Sequence, residues 1–145
     1  MYRIAGAATA LITAGVLLPA TATATAGTAS HVSLWQNKQK TVECGITANV
    51  ISRKNILCSA NGIPRPKHGN PNVGDPFVQL AKTGKPKLVL ISQNSFPAGA
   101  KPHTLATGTT WSGRGVTCKL GAKSVTCKNG SGHGFTIGNG HYKAF

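Results

Sequence analysis

Val116 to Asn129, V-T-C-K-L-G-A-K-S-V-T-C-K-N, alternates apolar and polar residues on both sides of a Gly121–Ser124 connector. With the turn centred between Ala122 and Lys123, Leu120 faces Val125, Cys118 faces Cys127 and Val116 faces Asn129. Side chains alternate across a strand, so Val116, Cys118, Leu120, Val125 and Cys127 share one face, and Thr117, Lys119, Thr126 and Lys128 the other. A slip of one residue would turn every apolar group to water, which fixes the pairing. Directly opposed residues of an antiparallel pair sit about 4.5–5.5 Å apart at Cα, within disulfide reach. The hairpin thus predicts a Cys118–Cys127 bridge from geometry.

The chain then repeats the device. Asn139-Gly140 is a two-residue turn signal of type I′ character, in which both central residues take positive φ. Folding there sets Ile137 opposite Tyr142 and Phe135 opposite Ala144, with Thr136 and Lys143 on the other face. Between the hairpins, Asn129–Gly134 (N-G-S-G-H-G) is either a tight bulged connection or a backbone nest for an anion or a partner strand.

The run S-V-T-C-K-N-G-S-G-H-G-F-T-I from Ser124 to Ile137, with G-V-T-C at Gly115–Cys118 before it and Tyr142 and Phe145 beyond it, resembles the C-terminal signature of a family of small secreted actinobacterial proteins of unknown function. The likeness covers about 30 residues. It implies a secreted, disulfide-bonded β-domain and no particular reaction. A fainter likeness, carried by no single motif, is to the small adaptor subunits of secreted umbrella toxin particles, which bridge a lectin to a toxin scaffold.

At the other end, M-Y-R precedes an apolar stretch and T-A-T-A-T-A-G, the layout of a secretory signal peptide over residues 1–26. Gly15 and Pro19 interrupt the apolar run, which argues against a retained anchor, and nothing downstream is apolar enough to span a bilayer. Cleavage before Gly27 leaves 119 residues, enough for one domain over 41–145 behind an arm at 27–40. In an exported domain, four cysteines make two disulfides, so the partner of the first bridge is Cys44–Cys58. That bridge fits strands at Thr41–Ile46 and Asn55–Ala60, with Ile46 opposite Ile56 and Val42 opposite Ala60.

In the arm, Val32, Leu34 and Trp35 are the only sizeable apolar groups. They either begin an edge strand, with Trp35 tucked against the core, or anchor the arm in a partner. Asn61–Pro76 contains four prolines and is expected as an irregular loop rather than a central strand. Phe77–Lys82 and Lys87–Ser92 make a hairpin about Thr83–Pro86, and the apolar K-L-V-L-I-S is expected as a central, buried strand. Leu105–Trp111 is expected as one further strand, with Gly108 a bulge. No stretch holds helical periodicity beyond a turn. The expected fold is all-β, a small antiparallel sandwich or partly open barrel with two disulfides.

Chemistry is sparse. Sixteen Lys and Arg face two acids, Glu43 and Asp75. Loss of Arg3 with the leader leaves a net charge of +13. The basic residues form no run, and neither zinc-finger spacing nor aromatic interleaving is present, which argues against nucleic acid. Two distant carboxylates do not make a glycosidase pair, and Ser131-Gly132-His133-Gly134 is not a triad by itself. His31, His68, His103, His133 and His141 are dispersed and the cysteine spacings are too wide for zinc, so no metal or cofactor is expected. What remains is a secreted, non-catalytic binding module, an adaptor or accessory subunit of an extracellular assembly such as an antibacterial toxin complex. Its partner would be another secreted protein. The alternatives are a cell-wall hydrolase using His133 and Asp75, or a free cationic protein on anionic cell-wall polymer.

Overall fold

The computed structural model describes residues 27–29, 33–46, 55–67, 73–91, 96 and 99–145. Residues 1–26, expected as a signal peptide, and Val32 lie outside them. Among the described residues there are twelve strands and no helix: β1 (Thr28–Ala29), β2 (Leu34–Asn37), β3 (Val42–Ile46), β4 (Ile56–Ala60), β5 (Asp75–Leu80), β6 (Lys87–Ile91), β7 (His103–Leu105), β8 (Thr110–Gly113), β9 (Val116–Leu120), β10 (Ser124–Asn129), β11 (Gly134–Gly138) and β12 (His141–Ala144). No helix among the described residues is long and apolar enough to cross a membrane.

The strands make two six-stranded sheets packed as a sandwich. Sheet I runs β7-β2-β3-β4-β5-β6 and sheet II runs β1-β8-β9-β10-β11-β12. The expected registers are found: Leu120↔Val125, Cys118↔Cys127, Val42↔Ala60, Cys44↔Cys58, Phe135↔Ala144 and Ile137↔Tyr142. Both disulfides form, with Cα–Cα distances of 4.1 Å for Cys44–Cys58 and 4.0 Å for Cys118–Cys127. They fit an extracellular or otherwise oxidising location.

Laid side by side, the sheets are two renderings of one plan. In each, a tryptophan on the second strand stands opposite the first cysteine of the bridge: Trp35↔Cys44 in sheet I, Trp111↔Cys118 in sheet II. The next strand carries the second cysteine, and two further antiparallel strands follow. Each half also lends its first short strand to the other, where it pairs in parallel: β1 with β8, and β7 with β2. The turns are exchanged too. The β11–β12 turn docks beside the end of β4, Gly140 N–H donating to Asn61 C=O at 2.7 Å, while the β5–β6 turn meets the end of β10. Contacts that run from i to j and from j to i are the mark of a two-fold relation. Residues 27–91 and 99–145 are therefore pseudo-equivalent halves.

The core lies where the two halves meet. Trp35 and Trp111 are fully buried with ring centroids 5.7 Å apart, flanked by both disulfides. Such a tilted aromatic pair adds about 0.5–1.5 kcal/mol beyond its buried area. Trp35 Nε1 is buried without a hydrogen-bond partner. A second, smaller apolar cluster covers the outer face of sheet I. There Leu34, Leu57 and Phe77 are buried, Phe96 meets Phe77 edge-on at 6.1 Å, and Gly45 leaves room for the Phe96 ring that no Cβ would allow.

Several expectations give way. The 27–40 arm is built into the fold, with β1 in sheet II and β2 inside sheet I between β3 and β7. Leu34 and Trp35 are buried on opposite faces of β2, so neither is free to anchor a partner. Lys87–Ile91 is an edge strand with its apolar residues half-buried, not a central one. An apolar run requires cover on its faces, and Leu88 against the core and Val89 opposite Phe77 obtain it without a strand on each side. Pro76 lies within β5, tolerated because β4 pairs β5 only as far as Val78. Leu105–Trp111 splits at Gly108 (φ 87°), where the chain leaves sheet I for sheet II. At Asn139-Gly140 only the glycine takes positive φ (70°), so the turn is not type I′.

Candidate functional site

The Asn129–Gly134 connection is closed upon itself. Asn129, nearly buried at the end of β10, accepts through Oδ1 from Ser131 N–H (3.1 Å), Ser131 Oγ–H (2.9 Å) and His133 N–H (3.1 Å). Its Nδ2 donates to the carbonyls of Ala81 (3.0 Å) and Gly84 (2.7 Å), across to the other sheet's turn. A nest would present those N–H groups to an anion; here the asparagine oxygen occupies them. The stretch that carries the family resemblance is thus a sheet-to-sheet latch. Asn37 works in the same way at the β2–β3 turn, accepting from Thr41 and Val42 N–H and donating to Ala122 C=O in sheet II.

The acid–base groups do not converge. Ser131 and His133 sit beside the β5–β6 turn through the Ser131–Gly84 contact. Asp75 begins β5 at the opposite end, on the order of 20 Å away at strand rise. Glu43 on β3 and Asp75 on β5 are separated by β4. Burial pushes the Glu43 carboxyl above its ordinary value. His133 precedes β11 and His141 begins β12, and His31 and His68 lie outside the described residues. Sulfurs of Cys44, Cys58 and Cys127 cluster within 4.8 Å, but all belong to disulfides and offer no thiolate.

Two surfaces remain. The first is the free edge of sheet I. Among the described residues β6 pairs with β5 alone, and after Lys87 its residues Leu88, Val89, Leu90 and Ile91 are all half-exposed. The other three edges are blunted: β1 and β7 have two and three residues, and β12 carries His141 and Lys143. Sequence reasoning missed this site because it took the apolar run for a central strand. The available signal was Pro86-Lys87 at its start, a proline and a charge of the kind found at edges.

The second is the outer face of sheet II. Register places Thr110, Lys119, Thr126, Thr136 and Lys143 in one row across five strands. The neighbouring row is Ser112, Thr117, Lys128 and Gly134, with Phe145 hydrogen-bonded to Gly134 and its ring lying over the glycine. Phe145 is 48% exposed. Beside Lys128 an open cleft of about 320 Å³ is bounded by Ser112, Gly115 and Gly130. Both carboxylate side chains, Glu43 and Asp75, are on sheet I. No protein-family model, curated protein or solved structure matches the chain.

Proposed function

We propose that the protein is an exported, non-catalytic binding module, an adaptor or accessory subunit of an extracellular protein assembly, which takes up an extended segment of its partner along β6. The observation that carries this reading is the β6 edge, the longest of the four sheet edges among the described residues and apolar after Lys87. An incoming strand gains a row of main-chain hydrogen bonds there and pockets for alternate side chains. Lys85 and Lys87 at its start favour a partner segment carrying acidic residues. An antibacterial toxin complex is one such assembly, suggested by the fainter likeness to adaptor subunits of umbrella particles and not by the C-terminal motif.

The test is gentle purification of the tagged, secreted protein from culture medium. A stoichiometric set of exported proteins is expected to accompany the native chain. The Val89→Lys/Ile91→Lys variant, which charges the outward side of the edge, should lose them while keeping its melting temperature within a few degrees. Unchanged association in that variant refutes β6 as the docking edge. A monomer with nothing attached refutes the adaptor reading.

A further inference from the structure

We propose that the outer face of sheet II is a docking surface for an anionic glycopolymer, a chain of sugars or polyols joined through phosphodiesters of the kind found in cell walls. Lys119, Lys128 and Lys143 meet its phosphates. Lys119 and Lys128 are diagonal neighbours, about 7–8 Å apart at Cβ. Lys143 stands three strands from Lys119, roughly 14 Å away at ordinary strand spacing. The three charges therefore lie across the sheet as a track rather than as a point.

Neither acidic side chain lies on this sheet. With Glu43 and Asp75 on the other sheet and a net charge of +14 for the whole chain, the face carries a positive potential. The same charge disfavours a second copy of this chain as the occupant. Between the lysines, the surface is hydroxyl. Thr126 and Thr136 share a hydrogen bond at 3.0 Å, and their oxygens keep lone pairs for polyol O–H groups. Phe145, opposite Gly134 in the row of Lys128, offers an exposed ring face to the carbon skeleton of a sugar.

A nucleic acid would use the lysines too, but strand binding without base pairing depends on successive stacking platforms. The other rings of this sheet, Trp111 and Phe135, are fully buried, and Tyr142 packs against the core. One exposed ring on a hydroxyl-rich face suits a sugar–phosphate chain better than a ladder of bases.

The experiment measures binding of the mature full-length chain to poly(glycerol phosphate) over a range of salt. The Lys119→Gln/Lys128→Gln/Lys143→Gln variant should bind at least about tenfold more weakly, with the slope of log K against log salt reduced by on the order of 2. Lys38→Gln/Lys67→Gln/Lys101→Gln removes the same charge elsewhere and should cost less than about threefold. Equal losses in the two variants would mean diffuse attraction and overturn the proposal. So would tighter binding to a single-stranded oligonucleotide of matched charge. The surface is independent of strand uptake at β6. Failure of one leaves the other measurable, because Val89 and Ile91 lie on sheet I.

Discussion

The two halves of this molecule share a plan and differ in what they present outward. Each builds its core from one tryptophan, one disulfide between neighbouring strands and a row of aliphatic residues. Outside, sheet I is capped by Leu34, Leu57, Phe77 and Phe96 and ends in an apolar edge, whereas sheet II shows lysine and threonine throughout. The inward residues are tied to each other across the pseudo-two-fold, so a change in one half is felt by the other. The outward residues answer to solvent or ligand alone and are free to diverge. A pseudo-two-fold sandwich of this kind can present two unlike outer surfaces at no cost to its core.

The sharpest way to break the comparison is at its centre. Trp35→Ala and Trp111→Ala should each destabilise by about 3–5 kcal/mol, within about 1 kcal/mol of one another, if the halves are equivalent in the core. Urea denaturation checks this, and a difference of several kcal/mol would show that one half carries the fold. The latches come next. Asn129→Ala strands three donors and two carbonyls and should cost about 3 kcal/mol, against about 2 kcal/mol for Asn37→Ala. Asn129→Asp retains the accepting oxygen but turns a second, charged oxygen onto the carbonyls of Ala81 and Gly84. Its stability at neutral pH should be no higher than that of Asn129→Ala, and a stability close to wild type would show that the inter-sheet bonds contribute little.

The smallest effect concerns Glu43. Its carboxyl is raised by burial, so the folded state holds the proton more tightly than the unfolded state does. Stability is then fully present below the unfolded value of about 4.5 and falls as pH rises through the raised folded value. Glu43→Gln should raise the melting temperature by about 1–2 °C at neutral pH and leave it unchanged below the ordinary carboxylate range. An equal gain at both pH values would show that ionisation is not the cause.

Sequence alone determined the hairpins. Period-two alternation with a residue pair that must touch, Cys118 with Cys127 or Cys44 with Cys58, leaves one register, because a slip reverses every side chain at once. It also determined the fold class and the scarcity of acid–base groups. Only the tertiary structure decided which strands lie at edges, since hydrophobicity reports cover on a strand's faces and not neighbours at its sides. That is how Lys87–Ile91 came to be an edge and β2, read from sequence as an edge strand with Trp35 against the core, an interior one. Tertiary structure likewise decided the role of Asn129, whose partners Ala81 and Gly84 lie more than forty positions away. The duplication sits between the two. The pattern V-x-C-x-I at Val42–Ile46 and V-x-C-x-L at Val116–Leu120 is present in the chain. Loops that separate the paired cysteines by 14 residues in one half and 9 in the other hide it, and the exchange of β1 and β7 exists only once both sheets have formed.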